Sequence, residues 1–139
     1  MIGRYIIIIA VIIMFIFVGI SCDEPKNEDP LINTAEGGSL LITGSTVDDN
    51  KEIIQPETTF KANEDFYLYF NNNDQFSTDR VIVQLINSAN DKVLAESDYD
   101  VDPESNTITD MIWFGSFGRY QIKVIVDGEV RAVREVIVE

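Results

Sequence analysis

The chain has 139 residues, with 10 Lys and Arg against 24 Asp and Glu, a net charge of −14, and no histidine. That balance argues against nucleic acid as a partner and against anionic lipid headgroups, because binding either requires clustered cations. The missing histidine removes the commonest general base and metal ligand, and the length leaves room for one domain beside a targeting segment.

From Tyr5 to Ile20 no residue is charged, and Arg4 with the amino terminus supplies positive charge just ahead of the run. A basic start, an apolar stretch and then small residues are the layout of a signal peptide. The alternative is an uncleaved membrane helix, for which the run is short, since spanning takes about 20 residues. Gly19, Ile20 and Ser21 then lead into Cys22, the one cysteine of the chain. This stretch resembles the lipobox of bacterial lipoproteins, with Gly19 standing where that family prefers a branched aliphatic residue. The resemblance implies cleavage after Ser21, a diacylglyceryl group on the Cys22 thiol and a palmitate-type acyl chain on the new amino group. Physical chemistry points the same way, because a lone cysteine cannot close an internal disulfide and an exposed thiol is a liability in an oxidising compartment. Two or three acyl chains, at about 0.8 kcal/mol per buried methylene, hold a protein stably on a membrane.

Residues 22–38 form an acidic stretch with Asp23, Glu24, Glu28 and Asp29, Pro25 and Pro30, and a Gly37-Gly38 pair. It carries too little apolar surface to offset its ordering entropy and reads as a flexible tether. Acidic residues close behind a lipidated cysteine resemble signals that send lipoproteins of some Gram-negative groups to the outer membrane surface. Elsewhere an aspartate directly after the cysteine resembles an inner-membrane retention signal. The expected location is the bacterial cell envelope, outer membrane favoured, with the face left open.

Beyond Ser39, short β-branched and aromatic runs alternate with turn residues about every ten positions, which predicts an all-β sandwich of about seven strands over residues 39–139. The expected strands are 39–44, 65–71, 80–87, 92–97, 106–113, 118–126 and 129–138. Phe66, Leu68 and Phe70 should face inward with Tyr67 and Tyr69 outward. Tyr120, Ile122, Val124 and Val126 should likewise face inward, against Gln121, Lys123 and Ile125. Asp127-Gly128 between two apolar runs predicts a two-residue hairpin, and the lost alternation around Arg131, Ala132, Val133 and Arg134 predicts a bulge that blunts an edge.

The segment SFGRYQI, residues 116–122, resembles the D-x-G-x-Y-x-C stretch of immunoglobulin-like domains. The resemblance implies a bend at Gly118, a tyrosine corner at Tyr120 and Ile122 in the place of the second cysteine. It departs from that family in lacking a disulfide pair and in placing Trp113 at the end of the fifth strand. Immunoglobulin-like and fibronectin-like modules without the disulfide fit the pattern.

Two constellations could carry chemistry. Asp98, Asp100, Asp102 and Glu104 stand at alternate positions, so an extended chain would set four mutually repelling carboxylates on one side, which Ca²⁺ would relieve. An EF-hand pattern fails there, with Pro103 where glycine is needed and Thr109 where the bidentate glutamate belongs. The alternative is a solvated acidic loop, and the Asp48-Asp49-Asn50 and 71–74 clusters read as turns. Tyr67, Tyr69, Trp113, Phe114 and Phe117 could form an aromatic platform for a glycan or protein partner, or could pack under loops. No glycine-rich phosphate loop or nucleophile–base pair is present, and a sandwich of this size offers little depth for a two-carboxylate glycosidase. The expectation is therefore a lipid-anchored binding or structural module without catalysis or cofactor, with two alternatives. One is an accessory subunit of an envelope uptake, secretion or filament assembly, and the other a Ca²⁺- or small-ligand-binding module.

Overall fold

The computed structural model describes Asn33–Thr34 and residues 38–139; the apolar N-terminal segment, Cys22 and the rest of the acidic stretch lie outside the described residues. Among the described residues there are nine strands and no helix: β1 (Asn33–Thr34), β2 (Leu40–Gly44), β3 (Thr59–Phe60), β4 (Phe66–Asn71), β5 (Arg80–Asn87), β6 (Lys92–Asp100), β7 (Thr107–Ile112), β8 (Gly118–Val126) and β9 (Glu129–Val138). They form two sheets, ordered β1-β2-β4-β7 and β3-β9-β8-β5-β6. Every pairing is antiparallel except β3 with β9. The seven expected strands are all present. The two-residue strands β1 and β3 are too short to leave a periodic trace, and the first sheet begins at Asn33, inside the 22–38 segment.

Period-two alternation decides which side of each strand meets the other sheet. Phe66, Leu68 and Phe70 are buried on β4, and Tyr120, Ile122, Val124 and Val126 on β8. With Leu41, Val81, Val83, Ile108, Val136 and Val138 they make one continuous core between the sheets. Removing each such side chain from water contributes about 1.5–3 kcal/mol. At one pole the rings of Phe60, Phe66, Phe114 and Tyr120 run in a stacked series, with centroids 3.8, 6.0 and 4.1 Å apart.

The crossing from β2 to β3 passes the chain from one sheet to the other. Thr43 Oγ1 donates to the Glu57 carbonyl at 2.6 Å, and Glu57 N–H donates to the Thr43 carbonyl at 2.8 Å. This clamp satisfies a buried hydroxyl and leaves β3 beside Ile137 and Val138 of β9. Between clamp and strand end, a flap closed by the Val47–Ile53 bridge folds back over the outer face of the first sheet. Its turn is held by Asp48 Oδ1, which accepts from the backbone of Asn50 and of Glu52, both at 2.9 Å. Thr109 Oγ1 on β7 donates to the Lys51 carbonyl at 3.0 Å.

The last hairpin turns as expected, with Asp127 at φ 52° and Gly128 at φ 76°, the left-handed pair that a primed turn requires. The register between β8 and β9 shifts between Val124 and Ile125, whose partners are Ala132 and Val130, so Arg131 is the extra residue of a bulge. The phase change sends Ala132 inward and Arg134 after it. Arg134 is 2 % exposed and belongs to the buried interior, an outcome the out-of-phase pattern left open.

Candidate functional site

The acidic stretch is split by the fold. β6 runs on to Asp100 because β5 still offers pairing partners, Ile82 for Asp98 and Arg80 for Asp100. Asp98 and Asp100 therefore sit on the outward side of an edge strand, while Asp102 and Glu104 lie in the turn that follows. Arg80 forms a two-pronged ion pair with Asp98, its Nε donating to Oδ1 at 3.1 Å. Asp102 Oδ1 accepts from the Glu104 N–H at 2.9 Å, an ordinary turn bond. Among the described residues no group of three or more acidic or thiol side chains is gathered as for a metal ion. The solvated-acid reading is thus corrected in one respect: half of the stretch is strand, not loop.

The odd member of that stretch does structural work that the sequence did not disclose. Tyr99 faces inward from β6, and its hydroxyl donates to Oδ2 of Asp110, an inward-facing residue of β7 on the opposite sheet. Burial, then the hydrogen bond to Asp110 and that carboxylate's charge, push the phenol up from 10.0 to about 12, against a smaller opposing contribution from Ser97. The pair links the two sheets at their margin.

The expected aromatic platform is also divided. Phe114 is 5 % exposed and belongs to the stacked core series, so it is no part of a surface. Tyr67 and Tyr69 stand on the outer face of the first sheet but are half-buried. The flap crosses that face: a Cβ at Gly44, the neighbour of Tyr67, would meet Gln55 O at 2.4 Å and Ile53 Cγ2 at 2.6 Å. Trp113 and Phe117 remain, 58 % and 77 % exposed, with half-exposed Met111 nearby as the register partner of Tyr67.

The loop bearing those two rings is firmly held. Its Phe114 carbonyl accepts from Asn63 N–H at 2.8 Å. Tyr120 Oη donates to the Ser116 carbonyl at 2.8 Å and lies 2.9 Å from Ser116 Oγ. Gly118 at φ 150° permits the bend into β8, in a region closed to side chains. This is the tyrosine corner that the SFGRYQI segment implied, with Ile122 fully buried two residues on. Two exposed rings thus stand on a loop fixed from beneath.

Among the described residues, two shallow concavities each hold about 230 Å³. One lies among Glu57, Lys61, Glu64, Asp65 and Glu139, the other beside Arg80, Ile82 and Ile125. Both fall below the roughly 300–1,000 Å³ usual for small-molecule sites.

β6 stands apart from the other strands. Its residues are exposed on both faces except Tyr99, which is half-buried where it reaches Asp110 of the opposite sheet. Among the described residues the one strand it pairs with is β5.

No family model matches the chain, and no curated protein does. Solved structures do. An immunoglobulin-like protein of Pseudomonas aeruginosa aligns with TM-score 0.52 and 13 % identity over 77 % of this chain and 96 % of that one. The soluble domain of PmoD from a Methylocystis species aligns with TM-score 0.49 and 11 % identity, covering 78 % and 96 %. A candidate lipoprotein of Bacillus anthracis aligns with TM-score 0.42 and 12 % identity, covering 70 % and 85 %. With two facing sheets, a tyrosine corner and the first of these likenesses, the described domain is an immunoglobulin-like β-sandwich.

Proposed function

We propose that this chain is a lipid-anchored module of the bacterial cell envelope whose immunoglobulin-like domain works by recognition, with no bond made or broken. The observation that carries the recognition reading is the pair Trp113 and Phe117, exposed on a loop locked by Tyr120 and Ser116. Large, rigid aromatic rings provide contact area at little entropic cost and suit a protein or glycan partner. The anchor reading rests on the lipobox-like run ending at Cys22 and on the acidic stretch behind it, with the outer membrane as the favoured location.

Each half has its own test. Replacing Cys22 with serine should leave the precursor uncut and unlabelled by radioactive palmitate; a variant still processed and labelled would sink the lipoprotein reading. For recognition, envelope proteins and glycans recovered with the tagged full chain should drop when Trp113 and Phe117 are both changed to alanine. Undiminished recovery would dismiss that loop as the contact. Trp113 is the single tryptophan, so its emission reports directly on whether the loop is covered.

A second reading, an accessory subunit of an envelope assembly that docks by strand addition, is favoured by β6. Nine residues long and exposed on both faces, it is the kind of edge onto which an extended segment adds.

A further inference from the structure

The strand margins of this sandwich are not treated alike. Folded proteins protect sheet edges with shortness, bulges, proline, charged side chains, inward charges or a covering segment, and on β6 the device is a row of like charges, which bars some strands and admits others. β1 is two residues long. β7 turns the charged Asp110 inward and caps it with Tyr99. β9 is bulged at Arg131 and paired by β3 at Ile137 and Val138. β6 has a register shift only at its start, opposite Leu85 and Ile86, and residues 95–100 then run regularly with no proline and no inward charge.

The two sides of that regular stretch differ in character. Outward stand Glu96, Asp98 and Asp100; inward stand Ala95, Ser97 and Tyr99, small or apolar. Glu96 accepts from Gln84 Nε2 at 2.7 Å and Asp98 from Arg80, and both carboxylates keep lone pairs free for further donors. On this side Arg80 pairs with Asp98, and Lys123 lies one strand further in, on the row of Gln84 and Glu96, against three anions along the edge of a chain of net charge −14. Like charges directly across a strand pair are destabilising and opposite ones stabilising, so this row selects against an acidic newcomer.

We propose that β6 is the docking edge for an extended segment of a partner protein carrying lysine or arginine at alternate positions, added as a further strand of the five-stranded sheet. The proposal rests on the strand-addition reading above and names the partner's chemistry. Cations two residues apart recur about every 6.8 Å along a strand, the same repeat as Glu96, Asp98 and Asp100, so each can face one carboxylate. Small or apolar residues between them would lie beside Ala95 and Ser97, both exposed. A second copy of this chain is a poor occupant, because an antiparallel β6 pair centred on Asp98 would set Asp98 against itself and each Glu96 against Asp100 of the other copy.

The test uses the full chain in detergent with two probes, a short peptide alternating valine with lysine and its counterpart alternating valine with glutamate. Hydrogen exchange at the β6 amides is the readout. The lysine peptide should slow exchange there and bind about tenfold more tightly than the glutamate peptide, the scale of a few cross-strand charge pairs. Changing Glu96→Lys together with Asp100→Lys, which leaves the Arg80–Asp98 pair intact, should reverse that preference without altering the circular dichroism. Equal protection by both peptides overturns the cationic partner while strand addition stands. No protection by either overturns strand addition itself. Protection that rises with protein concentration in the absence of peptide identifies a second copy as the occupant and overturns the proposal.

Discussion

Tyr99 and Tyr120 show how much a single hydroxyl can hold in a sandwich that lacks a disulfide. Tyr120 fixes the 113–117 loop through Ser116, and losing a hydrogen bond at a partly buried site costs about 1 kcal/mol. Tyr120→Phe should therefore lower Tm by a few degrees and increase quenching of Trp113 emission by acrylamide; unchanged quenching would mean the loop is held by Phe114 alone. Tyr99 makes a pH-dependent contribution. Its phenol is held neutral in the fold, up to about 12 from 10.0, so its stabilisation is complete below pH 10 and is lost as pH rises through about 12. Tyr99→Phe should destabilise the protein at pH 8, where Asp110 Oδ2 loses its donor while Oδ1 keeps the Met111 N–H, and the gap between variant and parent should close between pH 10 and 12. A gap that stays constant across that range would remove the Tyr99–Asp110 bond as its source.

Among the elements, the flap over the first sheet depends on what Gly44 lacks. A methyl there would overlap Gln55 O and Ile53 Cγ2, at 2.4 and 2.6 Å, and backbone cannot step aside as a flexible side chain can. Gly44→Ala should cost about 1–3 kcal/mol, the range for overpacking, and should speed hydrogen exchange at Asp48 and Ile54, whose amides bond within the flap. Faster exchange throughout the domain instead would mean that flap and sandwich unfold as one unit. Gly128 marks the contrast: its Cβ would meet nothing within 4 Å, so only its φ of 76° constrains it. The same element-scale logic explains the end of β6. Sequence alone reads Asp98 and Asp100 as loop because they are acidic, but pairing with β5 and the Arg80 ion pair carry the strand through them.

For the whole molecule the dominant global quantity is its charge of −14. Self-repulsion at that density opposes the compact state, and salt relieves it, the Debye length falling from about 30 Å at 0.01 M to about 8 Å at 0.15 M. Raising NaCl across this interval should raise Tm by a few degrees. A fall would mean that surface pairs such as Arg80–Asp98 and Arg119–Glu135 outweigh the repulsion. The same charge bears on partners: a domain of this kind is held off anionic surfaces and meets cationic ones readily, with an attraction that weakens as salt rises.

The sequence by itself determined whatever depends on neighbours along the chain. Alternation on β4 and β8 set the inward faces, Asp127-Gly128 set the hairpin, the broken phase at Arg131 set the bulge, and SFGRYQI set the tyrosine corner. The tertiary structure alone decided what depends on contacts between distant segments. It took Phe114 out of the aromatic surface and into the core, half-covered Tyr67 and Tyr69, drew Arg134 inside, joined Tyr99 to Asp110 across the sheets and left β6 bare. A strand's period fixes which of its two sides a residue takes. Whether that side is then covered depends on where the other sheet and its loops end, and no local pattern encodes that.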